Sequence, residues 1–104
     1  MDYSQLSDLE INQRVSNAIP WRFIFYPDYV WDSEWEKTFD PCNKAADAWP
    51  IIQPNGICIG YDGISWDASC HLHDIGQVND WKNHPEKPLR MAMIVFLMIQ
   101  ESKL

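Results

Sequence analysis

The hydrophobic and polar positions at the start of the chain predict a short amphipathic helix over residues 8–18. Ser7-Asp8-Leu9-Glu10 has the spacing of a capping box, in which each of the two end side chains accepts a hydrogen bond from the other residue's backbone amide. Ile11 and Val15 recur at helical spacing, so one face of the helix is expected to pack inward. Pro20 follows and is expected to end the helix, because proline cannot continue the hydrogen-bond ladder.

Three further stretches have the composition of β-strands. Residues 21–26, WRFIFY, are aromatic and branched and lie between two prolines, so they predict one strand. Residues 57–61 and 64–69 predict a hairpin, since Asp62-Gly63 between two such runs is a strong turn signal.

Residues 71–88 contain three histidines and two prolines without clear periodicity, and they are predicted to form a long polar connection.

The remaining apolar residues predict two more helical regions. Asp40-Pro41 is typical of a helix start, with an acidic N-cap and proline at the first helical position. Because Pro50 would remove a hydrogen bond inside a helix, this region is predicted as two short helical pieces, the second beginning near Asp47. Residues 89–100 are apolar nearly all round, which predicts a buried C-terminal helix. The fold class predicted is α+β, a small antiparallel sheet of two to three strands covered by two to three helices.

Length, composition and charge limit the functions that the chain can have. Its 104 residues fit one domain, 1–104, and a hydrophobic share of 46% is sufficient for a core. Fifteen acidic residues against eight scattered basic ones give a net charge of -7, so nucleic acids and anionic membranes should repel the chain. The longest apolar run, residues 91–99, is well short of the roughly 20 residues that span a bilayer. We expect no direct nucleic-acid binding and no membrane binding.

The three cysteines indicate a reducing compartment. Cys42, Cys58 and Cys70 are an odd number without CxxC spacing, which does not suit a disulfide framework. The N-terminus is polar and acidic, unlike a signal peptide, so we expect a cytoplasmic protein. Cys42 and Cys58 are predicted to be small core residues, but Cys42 in the first turn of a helix would have a lowered thiol pKa if it were exposed.

Segment 28–36 combines aromatic residues with carboxylates and is a candidate partner-binding surface. Tryptophan and tyrosine dominate interface hot spots, and carboxylates around them would steer a basic partner. The other interpretation is that Trp31 and Trp35 anchor the core while the carboxylates form a solvated face. Both interpretations stay open on the sequence alone. The predicted binding residues are Asp28, Tyr29, Trp31, Asp32, Glu34, Trp35 and Glu36.

Residues 70–74, CHLHD, are the candidate metal site. On an extended backbone His71 and His73 would project to the same side, and Asp74 or Cys70 could complete a site for zinc. The other interpretation is that these are ordinary polar loop residues, since matches to motifs this short recur by chance. The sequence contains no GxGxxG, Walker-type or GxSxG motif, which argues against NTPase and dinucleotide-binding activities.

Three blocks of the chain together resemble the NinX-like proteins of lambdoid bacteriophages and prophages. They are the opening MDYSQLSDLEINQRV, the stretch FDPCNKAADAWPII at 39–52, and LRMAMIVFLMIQES near the end. NinX-like proteins are small accessory proteins gathered in a family of unknown function. The resemblance implies a phage protein that works inside a bacterial cell, and it supplies no reaction and no catalytic residue.

These observations lead to three functional hypotheses. The preferred one is a non-enzymatic adaptor or inhibitor that needs no cofactor and binds a host or phage protein in the cytoplasm of the bacterial host. The alternative is a small metal-binding protein or metal-dependent hydrolase that uses His71, His73 and Asp74 with a divalent metal such as zinc. A third option is a homodimer joined through the apolar C-terminal helix.

Overall fold

The computed structural model describes residues 2–19 and 22–103, which form three α-helices and six β-strands. The helices are α1 (Asp8–Asn17), α2 (Ala45–Asn55) and α3 (Pro88–Ser102). Sheet 1 is antiparallel, with the order β1-β2-β3, and its strands are Phe23–Phe25, Val30–Asp32 and Lys37–Phe39. Sheet 2 is also antiparallel, with the order β4-β5-β6, and its strands are Cys58–Tyr61, Trp66–Cys70 and Ile75–Asn79.

Helix α1 confirms the capping box. The Glu10 amide donates to Ser7 Oγ at 3.1 Å, and the Ser7 amide donates to Glu10 Oε1 at 3.0 Å. Ile11 and Val15 are fully buried, as the helical spacing predicts. The helix ends at Asn17, and Pro20, which we expected to end it, lies outside the described residues.

Helix α2 differs from its prediction in two ways. Asp40 is not an N-cap; its carbonyl accepts the amides of Asn43 and Lys44, and this turn precedes a helix that begins at Ala45. One continuous helix then passes through both Pro50 and Pro54, where two short pieces were predicted. Both prolines lie on the exposed side of the helix. There, solvent can bond the carbonyl oxygens that lose their amide partners, so the helix tolerates the prolines.

Sheet 1 confirms the strand predicted in WRFIFY for Phe23–Phe25; Trp21 lies outside the described residues. The strand register places Ile24, Trp31 and Thr38 in one row across the sheet. Because side chains alternate along a strand, the two neighbouring rows point to the opposite side. On that inner side the rings of Phe23 and Phe39 approach to 4.5 Å between centroids. The other residues on this side are Phe25, which is itself 47% exposed near the end of its strand, Val30, Asp32 and Lys37.

Sheet 2 contains the predicted hairpin and one strand that was not predicted. Strands β4 and β5 are joined by residues 62–65, and Asp62 Oδ1 accepts the amides of Ile64 and Ser65, each at 2.8 Å. The prediction of a structureless connection over 71–88 is wrong, since β6 occupies Ile75–Asn79 and pairs with β5. The signal was weak because only the first residue of β6 is buried and the pairing is irregular near Cys70.

Helix α3 forms the centre of the core and confirms the predicted α+β class. It packs against β5 and β6 on one side and against α1 and α2 on others. Its apolar surface is used inside this chain, so the proposed homodimer through this helix would have to form without that surface. The buried apolar residues of α3 are Met91, Ala92, Met93, Ile94, Val95, Phe96, Leu97 and Ile99.

One cation is buried at the start of α3 and ties the two ends of the chain together. Arg90 is fully buried; its Nη1 donates to Asp8 Oδ1 at 2.7 Å, and its Nη2 donates to the carbonyl oxygen of Leu6 at 2.6 Å. Lys87 also pairs with Asp8. We call Asp8, Lys87 and Arg90 the terminal clamp. No pattern in the sequence distinguished Arg90 from the other basic residues.

Candidate partner-binding surface

The predicted segment 28–36 forms strand β2 with a turn at each end, and β2 is the central strand of sheet 1. The side of the sheet turned away from the core carries Ile24, which is 45% exposed, and Trp31, which is half-buried. Tyr26 and Tyr29 continue this side by strand alternation. We call Ile24, Tyr26, Tyr29 and Trp31 the outer face. It is apolar although it is open to solvent.

The two tyrosines sit at the hairpin turn between β1 and β2. The Tyr26 amide donates to the Tyr29 carbonyl at 3.0 Å, and this bond closes the turn through Pro27 and Asp28. The two rings stack with centroids 4.8 Å apart and both remain exposed. Stacked aromatic rings restrict each other, so the outer face presents a largely preordered surface at this end.

The other turn, residues 33–36, presents Trp35 to solvent. The Trp35 side chain is 65% exposed, so it is not the core anchor that one interpretation of the sequence required. Glu36 follows with a positive φ of 54°, a left-handed conformation that lets the chain enter β3. Glu34 and Glu36 are exposed on either side of the indole. The turn therefore combines a large apolar group with two carboxylates.

Asp32 holds this turn from within and is not a surface carboxylate. Its side chain is fully buried and accepts from Arg22 Nε at 3.0 Å and Arg22 Nη2 at 2.6 Å. It also accepts the backbone amides of Glu34 at 3.0 Å and Trp35 at 3.1 Å. Desolvation acts to raise the pKa of Asp32, but the hydrogen bonds from Arg22 and the turn amides outweigh it and lower the pKa.

Most charged side chains on the inner side of sheet 1 form ion pairs. Most of the charged side chains that extend into solvent around the sheet are carboxylates. Lys37 forms an ion pair with Asp47 of α2, as Arg22 does with Asp32. Lys44 lies on the outer side, where its Nζ donates to Thr38 Oγ1 at 3.3 Å. The exposed carboxylates at the two ends of β2 are Asp28, Glu34 and Glu36. Glu34 also lies 3.5 Å from Arg22 Nε, whereas Asp28 and Glu36 have no ion pair among the described residues. With only Lys44 opposing them on the outer side, the surroundings of the outer face are acidic.

A cavity of about 430 Å³ opens between the turn at 33–36 and helix α2. Its walls are mainly apolar and aromatic, and two cations and one carboxylate lie at their edges. Such a volume lies within the range of roughly 300–1,000 Å³ that is typical of ligand pockets in proteins. The lining residues are Ile19, Arg22, Phe23, Trp35, Lys37, Phe39, Ala46, Asp47, Pro50 and Ile51.

The CHLHD cluster does not have the backbone that the metal hypothesis assumed. His71–His73 form a 3-10 turn rather than an extended strand, and Asp74 follows with a φ of 56°. Cys70 is buried, and its Sγ donates to the Asn55 carbonyl at 3.3 Å. Within 2–19 and 22–103, no three histidine, cysteine or acidic side chains lie together as metal ligands would. The structure therefore offers no geometric support for a site at His71, His73 and Asp74.

The three cysteines are free thiols in the described part of the chain. Cys42 is buried, which confirms its predicted place in the core, and burial raises the pKa of its thiol rather than lowering it. Cys58 was also predicted to be buried, and this is wrong. It is exposed because it begins β4, an edge strand of sheet 2.

The sequence predicted a binding surface at segment 28–36 but did not indicate the residues that lie next to it in space. Ile24 and Tyr26 join the surface only because β1 pairs with β2. The alternation in WRFIFY was the available signal, since one side of an edge strand in a small sheet faces solvent. Arg22 and Lys37 gave no signal, because their partners are set by strand pairing and by α2.

Acid should destabilise the fold through its buried carboxylates. Desolvation acts to raise the pKa of Asp8, but hydrogen bonds from Lys87 and Arg90 outweigh it, so the pKa values of Asp8 and Asp32 are both lowered on folding. A carboxyl whose pKa falls on folding contributes stability above its unfolded value, about 3.9 for aspartate, and loses it as the pH drops through the folded pKa. We therefore expect the free energy of unfolding to be nearly constant above about pH 5 and to fall steeply below about pH 4.

Urea unfolding followed by tryptophan fluorescence over this pH range measures that slope. Asp32→Asn should flatten part of it, whereas Asp74→Asn, at an exposed carboxylate without an ion pair among the described residues, should leave it unchanged. An equal slope for wild type and Asp32→Asn would contradict the assignment.

Fold and surface together define a small α+β protein with an exposed apolar face on sheet 1 and carboxylates at both ends of its central strand. None of the helices in the described ranges has the length and apolarity needed to cross a bilayer. The family model described as "Bacteriophage P22, NinX" matches residues 2–100, and the chain belongs to this family. This membership indicates a phage accessory protein. Neither a curated protein nor a solved structure was found to match the chain.

Proposed function

We propose that this chain is a non-enzymatic binding protein, an adaptor or inhibitor, that docks through the outer face onto a basic surface of a host or phage protein. The observation that carries the proposal is the exposure of large apolar side chains side by side on sheet 1. Leaving such groups exposed to water does not stabilise the isolated chain. Contiguous exposed apolar patches mark interaction sites. Membership of a phage family is consistent with a partner in the infected cell.

The chemistry of the surface suits protein recognition. Tyrosine and tryptophan supply large contact areas with few rotatable bonds, so little side-chain entropy is lost on binding. The outer face has three such residues, and Trp35 is exposed on the turn that follows β2, which is held by hydrogen bonds to the buried Asp32. A surface ordered in advance binds more tightly than one that must order on contact.

The carboxylates around the outer face favour a partner whose surface is basic. Asp28 lies at one end of β2, and Glu34 and Glu36 lie at the other, so a basic surface laid along the strand would meet a carboxylate at both ends. Such rim charges mainly raise the association rate and weaken with salt, while the apolar face sets the lifetime of the complex.

A capture experiment with matched variants tests the proposal. Tagged wild type is incubated with infected-cell lysate, beside Ile24→Thr/Tyr29→Thr on the outer face and Asp28→Asn/Glu34→Gln/Glu36→Gln on its rim. Ile64→Thr/Trp81→Thr is the control, since these exposed apolar residues lie outside sheet 1. We expect one or more captured proteins to be lost with the outer-face variant, retained by the control, and reduced at high salt or with the rim variant.

Two results would contradict the proposal. Capture of nothing by the wild type at low and high salt would remove the binding function. Equal capture by all four proteins would show that binding does not use the outer face. Circular dichroism and thermal unfolding of each variant establish that the compared proteins are folded.

A further inference from the structure

We infer that the cavity under Trp35 receives one large apolar side chain of the partner, carried on a segment whose neighbouring residues are Lys or Arg. The inference rests on the proposed function and specifies which kind of partner side chain makes one of the contacts. Its starting observation is the cavity of about 430 Å³ between the turn at 33–36 and helix α2, which adjoins the predicted binding segment.

The walls of the cavity favour an apolar occupant. Phe23, Phe39 and Ile51 come from two different layers, sheet 1 and helix α2, and form a wall that leads into the core. Pro50 and Ala46, also on α2, add further apolar lining. Sites of this kind bury aromatic and aliphatic anchors, and the residues around such anchors exclude water. One tryptophan or phenylalanine side chain would bury roughly 150–250 Å² in such a pocket.

The cations at the cavity do not call for an anionic ligand. Lys37 is paired with Asp47, and Arg22 makes a two-point contact with the buried Asp32. Arg22 Nε also lies 3.5 Å from Glu34, so each positive charge is already balanced within the chain. An incoming anion would have to compete with these carboxylates in a chain of net charge -7.

Two carboxylates lie on the turn that contributes Trp35 to the cavity. Glu34 and Glu36 are both exposed and flank Trp35 in the sequence, and of the two only Glu34 approaches Arg22. A segment that inserts an apolar side chain beside Trp35 therefore brings its flanking residues close to two carboxylates. Lysine or arginine at those flanks complements the charge, and it can also lie over the Trp35 ring as a cation–π contact.

Short peptides can probe the cavity without knowledge of the partner. Acetyl-Lys-Trp-Lys-amide carries the proposed anchor and flanks, acetyl-Glu-Trp-Glu-amide reverses the flanks, and acetyl-Lys-Gly-Lys-amide lacks the anchor. Each is titrated into the ¹⁵N-labelled protein. We expect the first peptide to shift the amide signals of Trp35, Phe39 and Ile51 and to bind at least tenfold more tightly than the other two. Equal binding of all three, or shifts confined to other regions, would overturn the inference.

A matched pair of variants tests the place of binding. Ala46 and Ala45 are adjacent exposed residues at the start of α2, and only Ala46 is among the residues that line the cavity. Ala46→Trp should fill the cavity and weaken binding of the first peptide at least tenfold, while Ala45→Trp should bind it as the wild type does. Equal binding by the two variants would overturn the inference.

One competing occupant lies in the chain itself. Trp21 is outside the described residues, and its sequence neighbours on both sides include cavity-lining Ile19 and Arg22. If Trp21→Ala raises the peptide affinity tenfold or more, the chain's own indole competes for the cavity and the inference fails. An unchanged affinity supports a partner side chain as the occupant.

Capture from lysate separates the two proposals. If Ala46→Trp captures the same proteins as wild type while Ile24→Thr/Tyr29→Thr does not, the outer face is the interface and the cavity is not part of it. If Ala46→Trp and Ile24→Thr/Tyr29→Thr both lose the captured protein and Ala45→Trp retains it, both proposals are supported. If all three of these variants lose the protein that wild type captures, the cavity inference is contradicted, because Ala45→Trp leaves the cavity open.

Discussion

Replacement of Arg90 by alanine is expected to lower the free energy of unfolding by about 3–5 kcal/mol, the range measured when one partner of a buried ion pair is removed. Arg90 is fully buried, and its loss leaves Asp8 with one ion-pair partner, Lys87, and the hydrogen bond from Asn43. It also leaves the carbonyl oxygens of Ser4 and Leu6 without their donor. A small domain has only about 5–15 kcal/mol of stability, so this single change should lower the melting temperature by more than about 10 °C.

Urea and thermal unfolding of the variant measure the effect. Arg14→Ala is the control, because Arg14 is exposed on α1 and should change stability by less than about 0.5 kcal/mol. Arg90→Lys keeps the charge without the planar fork of donors, so its loss should fall between the other two. A loss below about 1 kcal/mol for Arg90→Ala would show that the clamp does not stabilise the fold.

Replacement of Asp32 by alanine should cost about 3 kcal/mol and loosen the turn that carries Trp35. The change removes the acceptor of four hydrogen bonds; it leaves two backbone amides without that acceptor and Arg22 with Glu34 alone. Each unsatisfied buried group costs about 1–3 kcal/mol. Arg22 is partly exposed and can turn to water, which limits the loss.

Two measurements separate the effect on stability from the effect on the turn. Hydrogen exchange at the amides of Glu34 and Trp35 should accelerate in Asp32→Ala, since these amides lose their acceptor. Asp28→Ala, at the exposed tip of the other turn, should change neither exchange nor stability by more than about 0.5 kcal/mol. If Asp32→Ala and Asp28→Ala behave alike, Asp32 does not hold the turn.

The parts of the fold that could be predicted from the sequence depend on residues close together in the chain. The capping box of α1 and the hairpin signal at Asp62-Gly63 each lie within four positions, so one short pattern contains the whole interaction. Helix α3 was recognisable because its apolar composition can only be satisfied by burial. Strand β6 was missed because four of its five residues lie outside the core.

The candidate surface was harder to predict, because its charge pairs join residues that are distant in the sequence. The composition of 28–36 indicated an interface, but the sequence could not separate Asp32 from the other carboxylates of the segment. The register that aligns Phe23 with Asp32 brings Arg22 next to this carboxylate across ten positions of sequence. Lys37 finds Asp47 in a similar way, through the packing of sheet 1 on α2. Tertiary pairing therefore decides which charges are structural and which are free to meet a partner.

The terminal clamp makes the described chain close to a ring in its topology. Tyr3 Oη donates to Glu101 Oε2 at 2.7 Å, so residues 98 positions apart meet at the end of α3, while Asp8 pairs with Arg90 at its start. The same packing is then compatible with a chain whose helices and strands follow one another in a different order. A permuted chain that joins residues 3 and 101 by a short linker, and that opens at Gly63, which faces open space, would keep the clamp and both sheets.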